Sequence, residues 1–190
     1  MHPVIHQCIN ALWLGLLAWW LASALSVKRA ARRQSWSSRL VQGSLVAIGY
    51  FFIFDRAARL SALGKAFVPD ATLVAWAGLV MVAAGIAIAI WARAMIGRNW
   101  SATVTVKQDH QLVRRGPYRM VRHPIYSGLL MATLGTAIAG REIRGLVGVA
   151  FVFIGFWAKL RLEERFMTEQ FGADYTRYKQ ETRALIPFVM

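Results

Sequence analysis

Five uncharged stretches, separated by short segments rich in Lys and Arg, dominate the hydrophobic pattern of this chain. They cover residues 1–27, 40–54, 71–92, 123–140 and 145–158. The first and third reach the roughly 20 apolar residues that an α-helix needs to cross a hydrocarbon core about 30 Å thick. We expect Lys and Arg side chains at the ends of the other three to reach the membrane surfaces. The pattern predicts an all-α integral membrane bundle with five transmembrane helices.

The segments around the last two apolar runs predict a tight hairpin and a further helix. Only residues 141–144 separate the two runs, so we expect either two full spans joined by a short turn or a re-entrant hairpin. From residue 159 onwards, apolar and aromatic side chains recur every three to five positions with charges between them. This pattern predicts an amphipathic C-terminal helix on the cytoplasmic face, ended or kinked at Gly172.

Composition and charge support the membrane interpretation. Hydrophobic residues make up 57% of the chain, and its mean hydropathy is +0.42. The net charge of +14 would suggest a nucleic-acid partner for a soluble protein, but the charge follows the membrane. Residues 28–39, 93–122 and the segment from 159 onwards hold 5, 7 and 6 of the 23 Lys and Arg, against 3 and 2 in the intervening loops. We therefore expect membrane lipids as partners and no nucleic acid.

The charge asymmetry also predicts orientation and location. The N-terminus is expected outside and the C-terminus in the cytoplasm, in a bacterial inner membrane. No basic segment or small-residue cleavage site accompanies the first apolar run, which predicts an uncleaved first span. Cys8 is the single cysteine, so an internal disulfide and a multi-cysteine metal site are excluded. The oligomeric state is left open.

The chain divides into two regions. Residues 1–92 supply three N-terminal transmembrane helices, and Gly78 and Gly85 on one face of the third predict close packing against a neighbouring helix. Residues 93–190 alternate apolar spans with segments rich in functional side chains, so this region is the candidate catalytic part. Alternating Thr and Val near residue 105 predict a short extended segment, and Pro124 suits the first turn of the fourth helix.

A dense polar cluster precedes the fourth apolar run, in the stretch "GPYRMVRHPIYSG" at residues 116–128. Charged side chains at a membrane surface usually reflect topology and headgroup binding, and Arg93, Arg98, Arg114 and Arg115 are interpreted in that way. A single interfacial histidine is most simply satisfied by a backbone carbonyl. The grouping of Tyr118, Arg122, His123 and Tyr126 makes a functional site an equal alternative.

A second polar group follows the fifth apolar run, where Glu163 and Glu164 stand next to each other. Lys159 and Glu163 have the spacing of an ordinary i,i+4 ion pair, but carboxylates at the end of a span could also bind a cation or a ribose. His110 and His123 do not have the spacing of a helical ligand pair, so no metal site is predicted. Glycine fingerprints for dinucleotides or for a P-loop are absent from the sequence.

These motifs together resemble the isoprenylcysteine carboxyl methyltransferase family, and especially its short prokaryotic members with five spans. The resemblance rests on "RHPIYSG", on "EE" about forty residues later, and on "FGADYTRYKQETRALIP". It implies a membrane methyltransferase related to phospholipid N-methyltransferases, with S-adenosylmethionine bound at the cytoplasmic face. The cofactor contacts that it implies are Thr103, His110, Gln111, Leu112, Val113, Tyr118, Arg122, His123, Pro124, Ile125, Tyr126 and Glu163.

The resemblance also implies an acceptor side. The family's acceptor-binding arginine falls on Lys159, which keeps the charge but loses the planar two-pronged donor. Arg161 is a possible substitute, although two residues along a helix it points about 200° away. His123 or Glu164 is the candidate base if the acceptor must lose a proton. The implied acceptor is a lipophilic carboxylate or thiol, and its identity is not fixed by the sequence.

Three alternatives remain open at this point. The first is a phospholipid amine methyltransferase. The second is a membrane protein that binds a nicotinamide cofactor, like the sterol reductases related to this fold. The third is a non-enzymatic protein whose basic loops bind anionic lipid.

Overall fold

The computed structural model describes residues 3–24, 30–55, 62–97, 100, 105–107 and 112–187. These residues form six α-helices: α1 (Pro3–Ala24), α2 (Trp36–Phe54), α3 (Thr72–Ile96), α4 (Pro124–Gly140), α5 (Ile143–Phe171) and α6 (Ala173–Glu181). Two short strands, β1 (Ala30–Arg33) and β2 (Thr105–Lys107), pair antiparallel. The all-α prediction is therefore confirmed for the bundle, and the second strand of the short ribbon lies in the predicted extended segment.

The apolar helices agree with a membrane bundle. Four of them, α1, α2, α3 and α5, have the length and hydropathy to cross a bilayer, and α4 is a shorter apolar helix. With 29 residues, α5 is about 43 Å long at 1.5 Å per residue, so its C-terminal part extends beyond a hydrocarbon core. Gly172, with a φ of 52°, ends α5 and precedes α6, as the sequence predicted.

Glycine pairs set the distance between neighbouring helices. A Cβ atom added at Gly78 would lie 2.6 Å from the carbonyl oxygen of Gly135, and one added at Gly85 would collide with the carbonyl oxygen of Gly128. The predicted close packing along this face is confirmed, with α4 as the partner of α3. On the other side of the bundle, a Cβ at Gly148 of α5 would lie 2.6 Å from a carbonyl oxygen of α2. Close contact fixes α4 and α5, whose polar ends carry the candidate site.

A short link joins α4 to α5, as predicted. Arg141 follows α4 in the left-handed conformation with a φ of 67°, and α5 begins two residues later at Ile143. A Cβ at Gly145 would lie 2.9 Å from the Cβ of Ala137, so the two helices pack closely from their first turn.

Arg93 connects the ends of α1 and α3 at the end of the bundle where α4 begins. Its Nη2 donates to the carbonyl of Ser23 at the end of α1, and its Nη1 donates to the carbonyl of Gly97, both at 2.9 Å. The guanidinium also lies 4.4 Å from the centroid of the Trp100 ring. Only 3% of Arg93 is exposed, so the prediction that it faces lipid headgroups is wrong. A cation at two helix C-termini is favourable because the helix dipole is negative there.

Candidate active site

The chain before α4 holds His123 in a fixed position. Gly116, with a φ of 60°, and Pro117 open a short 3₁₀ helix over Gly116–Arg119, and Pro124 starts α4 with His123 as its N-cap. The backbone N–H of His123 donates to the carbonyl of Ala184 at 3.0 Å. Its carbonyl accepts from the backbone N–H of Ser127 at 3.1 Å. The histidine therefore has little backbone freedom.

Residues 182–185, which we call the tail segment, lie alongside the start of α4. The N–H of Arg122 donates to the carbonyl of Arg183 at 2.8 Å, and Val121 and Arg183 form a parallel bridge. Ser127 Oγ donates to the carbonyl of Leu185 at 2.5 Å, and Leu185 is buried in the core that also contains Tyr126. The tail segment covers the polar end of α4 and shields the site from water.

His123 lies between two carboxylates supplied by α5. Its Nδ1 is 3.4 Å from Glu163 Oε2, and its Nε2 is 3.4 Å from Glu164 Oε1. The Tyr126 hydroxyl donates to Glu163 Oε1 at 2.6 Å, and its ring stacks on the His123 ring with centroids 5.6 Å apart. We call His123, Tyr126, Glu163 and Glu164 the carboxylate cluster. Helix α5 can place Glu163 and Glu164 beside His123 because the helix continues beyond its apolar part.

The two carboxylates differ in how many partners they have. Glu164 accepts a hydrogen bond from Arg122 Nε at 2.7 Å, and its Oε2 is 3.5 Å from Lys179 Nζ of α6. Arg122 also donates through Nη1 to the carbonyl of Thr182 in the tail segment. The side chain of Glu163 is 23% exposed and that of Glu164 is 11% exposed. Glu164 therefore links the tail to α5, whereas Glu163 is the more accessible of the two to a ligand.

Electrostatics favour a charged His123. Burial lowers the pKa of this imidazole, but the neighbouring Glu163 and Glu164 carboxylates outweigh burial, and the pKa is raised above its usual value. Nearby, burial raises the pKa of Tyr178 to about 12. Because this phenol stays protonated, it donates to the backbone carbonyl of Tyr118, at 2.6 Å.

The structure brings most of the described site candidates together. Tyr118, Pro124 and Ile125 are buried beside the carboxylate cluster. Lys159 lies one turn before Glu163 on α5, with Nζ 5.5 Å from the centroid of the Tyr126 ring. Leu112 and Val113 are half-buried, and Val113 packs against the core that contains Tyr118.

Arg161 is not brought to the cluster. Its guanidinium lies 5.2 Å from the centroid of the Trp157 ring, and the residue is exposed. Thr103, His110 and Gln111 lie outside the described residues.

Sequence reasoning missed two contributors to the site. Arg114, interpreted as a headgroup-facing arginine, donates to the carbonyl of Asp174 in α6, and its guanidinium lies 5.4 Å from the Tyr178 ring centroid. Lys179 reaches Glu164, although nothing in its helix predicts that contact. The aromatic residues of α6, such as Tyr178, were a signal for the Arg114 contact, because arginine often stacks on aromatic rings.

A family model described as phospholipid methyltransferase matches residues 73–174, more than half of the chain. The matched region includes the carboxylate cluster and Lys159. The chain therefore belongs to the phospholipid methyltransferase family.

Curated relatives confirm the predicted resemblance. The probable protein-S-isoprenylcysteine O-methyltransferase of Oryza sativa subsp. indica is 33% identical over 119 residues, which cover 61% of this chain and 62% of that protein. Methanethiol S-methyltransferase 1 of Bradyrhizobium diazoefficiens is 37% identical over 73 residues, which cover 37% of this chain and 24% of that protein. The chain thus matches less than two thirds of the length of these relatives.

A solved structure has the same fold. The eukaryotic intramembrane Ras methyltransferase ICMT (isoprenylcysteine carboxyl methyltransferase) matches with a TM-score of 0.53 and 24% sequence identity. The match covers 84% of this chain and 55% of that chain. This likeness supports the integral membrane helical bundle.

Proposed function

We propose that this protein is a membrane methyltransferase that uses S-adenosylmethionine to methylate the carboxylate of a lipophilic acceptor. The observation that carries the proposal is the carboxylate cluster, a buried arrangement of His123, Tyr126, Glu163 and Glu164 within the region matched by the family model. A structural lipid-binding protein would have no need for this arrangement, since surface arginines suffice to hold anionic headgroups.

In the proposed topology, α4 is the fifth membrane span together with the four longer apolar helices. The N-terminus lies outside, and the carboxylate cluster and the C-terminus lie at the cytoplasmic face of a bacterial inner membrane. Residues 1–92 serve as a three-helix scaffold and residues 93–190 as the catalytic region. The support is the sequence distribution of Lys and Arg, which are concentrated in residues 28–39, 93–122 and the segment from 159 onwards.

The residues present fit a cationic cofactor. Glu163 offers a carboxylate that is partly accessible, and Tyr118 and Tyr126 offer aromatic rings, which attract a positive charge. His123 lies between Glu163 and Glu164, so the two carboxylates offset the charge of the imidazole beside a cationic ligand. We assign cofactor binding to the implied contact set named above, from Thr103 to Glu163. When bound, S-adenosylmethionine supplies a methyl group carried on a positively charged sulfur.

We place the acceptor next to Lys159. A carboxylate acceptor with a pKa of about 4 is already ionised at pH 7 and needs no general base. Its requirements are a cation that orients one oxygen and a site that keeps water out, and Lys159 and the tail segment supply these. Correct alignment of the reacting atoms supplies much of the rate acceleration in such a transfer. Glu164, held by Arg122 and Lys179, acts as a positioning residue in this account.

A thiol acceptor is the second candidate, because a relative named methanethiol S-methyltransferase matches part of the chain. An amine acceptor is the third, because the family model carries the name phospholipid methyltransferase. Both acceptors must lose a proton, and the candidate base is His123 or Glu164. Their rates would rise with pH, whereas a carboxylate that is fully ionised above pH 6 would show no such rise.

The test is methyl transfer by the purified full chain in detergent. Labelled S-adenosylmethionine is supplied with a prenylated cysteine carboxylate, a lipophilic thiol or phosphatidylethanolamine. We expect base-labile label in the carboxylate, which identifies a methyl ester. Label only in the thiol or only in the amine lipid would transfer the assignment to that acceptor. Absence of transfer and of cofactor binding in folded protein would leave the nicotinamide-binding and non-enzymatic alternatives.

A further inference from the structure

A cavity of about 630 Å³ lies at the end of the bundle where α5 begins, opposite the carboxylate cluster. It is open on one side and is lined by the start of α1, the ends of α2 and α4, residues 64 and 66, and the link between α4 and α5. Its volume is within the range of about 300–1,000 Å³ that is typical of ligand sites. The proposed methyl transfer takes place at the other end of the bundle and does not explain this cavity.

Two of the charged residues that line this cavity neutralise each other. Arg144 is buried, and its Nη1 donates to the carbonyls of Phe52, Ile53 and Asp55 at the end of α2, at 2.7, 3.1 and 3.0 Å. Its Nε pairs with the carboxylate of Glu142. These contacts join α2 to α5, so this pair adds no net charge to the cavity.

Among the described residues of the lining, Arg141 is the remaining cation. Its backbone is in the left-handed conformation, which is uncommon for a residue other than glycine. Its Nη1 lies 2.6 Å from Asp70 Oδ1, but the Asp70 side chain is 77% exposed and that of Arg141 is 18% exposed. Its Nε is buried and has no hydrogen-bond partner among the residues that the structure describes. A guanidinium has five N–H donors, so Arg141 can bind a second anion.

Further polar donors and an apolar border complete the lining. Asn10 Nδ2 donates to His6 Nδ1 at 2.8 Å, which places the ring proton on Nε2, a further donor. Phe54 also lines the cavity and is exposed on the outer surface of a helix with the properties of a membrane span. A ligand here would meet a cation and polar donors inside and an apolar surface beside them.

We propose that this cavity binds the phosphate headgroup of a phospholipid from the leaflet at this end of the bundle. A phosphodiester carries one negative charge and oxygens that accept from Arg141 and His6. The acyl chains would lie along the exposed apolar surface next to Phe54. The proposal depends on the membrane placement of the bundle and is independent of methyl transfer.

The test is a thermal melt of the full chain in detergent with added phosphatidylglycerol or with glycerol phosphate. We expect the lipid to raise the melting temperature of the wild type, and Arg141→Gln to weaken the apparent lipid affinity about tenfold, as expected for a lost charge-assisted contact. Asp70→Asn leaves Arg141 in place and should keep or strengthen the lipid effect. Arg165→Gln, at an exposed position on the other end of α5, is the matched control and should change nothing.

The two arms separate the possible sources of the phosphate. A shift with the lipid alone identifies a membrane headgroup, and an equal shift with glycerol phosphate identifies a free phosphate ester and overturns the lipid assignment. An unchanged lipid effect in Arg141→Gln, or no effect in the wild type, also overturns it. If Arg141→Gln does not fold, His6→Ala gives the same comparison, with a smaller expected loss. Retained binding of S-adenosylhomocysteine shows that a variant is folded and tests the methyltransferase proposal separately.

Discussion

His123 Nδ1 lies 3.4 Å from Glu163 Oε2, so a histidine at the start of α4 faces a carboxylate that α5 supplies forty residues later. The next residue of α5, Glu164, reaches the other ring nitrogen. Each contact uses a different carboxylate, and the partners of these carboxylates differ. This arrangement separates ligand binding from structural support, and the first predictions follow from that separation.

Glu164→Gln should destabilise the protein more than Glu163→Gln. It removes the buried carboxylate that Arg122, His123 and Lys179 share, and loss of one member of a buried ion pair typically costs about 3 kcal/mol. Thermal melts of both variants in one detergent provide the measurement. Equal melting temperatures for the two variants would contradict the structural role assigned to Glu164.

Stability should fall as the pH rises through the raised pKa of His123. Because this pKa lies above the unfolded value of about 6.5, the charged histidine contributes its full stability below pH 6.5. The contribution is lost as the pH passes the folded value. Melting temperatures between pH 6 and 9 test this, with His123→Gln as the comparison. A wild-type slope that survives unchanged in His123→Gln would contradict the assignment.

Lys159→Ala should raise the KM for a carboxylate acceptor about tenfold or more while cofactor affinity stays within about twofold, because Lys159 is placed on the acceptor side. Lys159→Arg should restore acceptor use, since a guanidinium binds a carboxylate with two parallel hydrogen bonds. Arg161→Ala is the matched control, because that side chain lies against Trp157. Equal losses of cofactor and acceptor binding in Lys159→Ala would exclude this role.

Gly128→Ala should destabilise the bundle by about 1–3 kcal/mol, because the new methyl group meets the backbone of α3 with no room to move. Gly43→Ala provides the control, since no atom of the described part of the chain lies within 4 Å of a Cβ there. Because Gly43 lies inside α2, alanine there should stabilise the helix by about 0.5–1 kcal/mol or leave stability unchanged. Thermal melts compare the two variants, and similar losses in both would mean that α3 and α4 are not packed as described.

Local patterns predicted the elements of this fold well. The uncharged runs predicted the apolar helices. Gly78 and Gly85 predicted a closely packed helix face, and Gly172 predicted the end of α5. Helix periodicity and glycine placement are properties of neighbouring residues, so they are visible in the sequence. The same is true of the first turn of α4 at Pro124.

Long-range contacts were not predicted. The burial of Arg93 depends on Ser23, seventy residues away, and the pairing of Arg122 with Arg183 spans sixty-one residues. The sequence near an arginine at the end of a span does not show whether its side chain contacts lipid headgroups or the C-termini of two helices. The carboxylate cluster itself was suggested only by the family resemblance, because His123 and Glu163 have no periodic relationship.

The most direct test of the account is a calorimetric titration of the detergent-purified full chain with S-adenosylhomocysteine, the product form of the cofactor. We expect saturable binding by the wild type, a loss of about tenfold or more in Glu163→Gln, and wild-type binding in Glu169→Gln. Glu169 lies on the same helix and pairs with the exposed Arg165, so it controls for charge removal. No binding to folded wild type, or equal binding by both variants, would contradict the cofactor site.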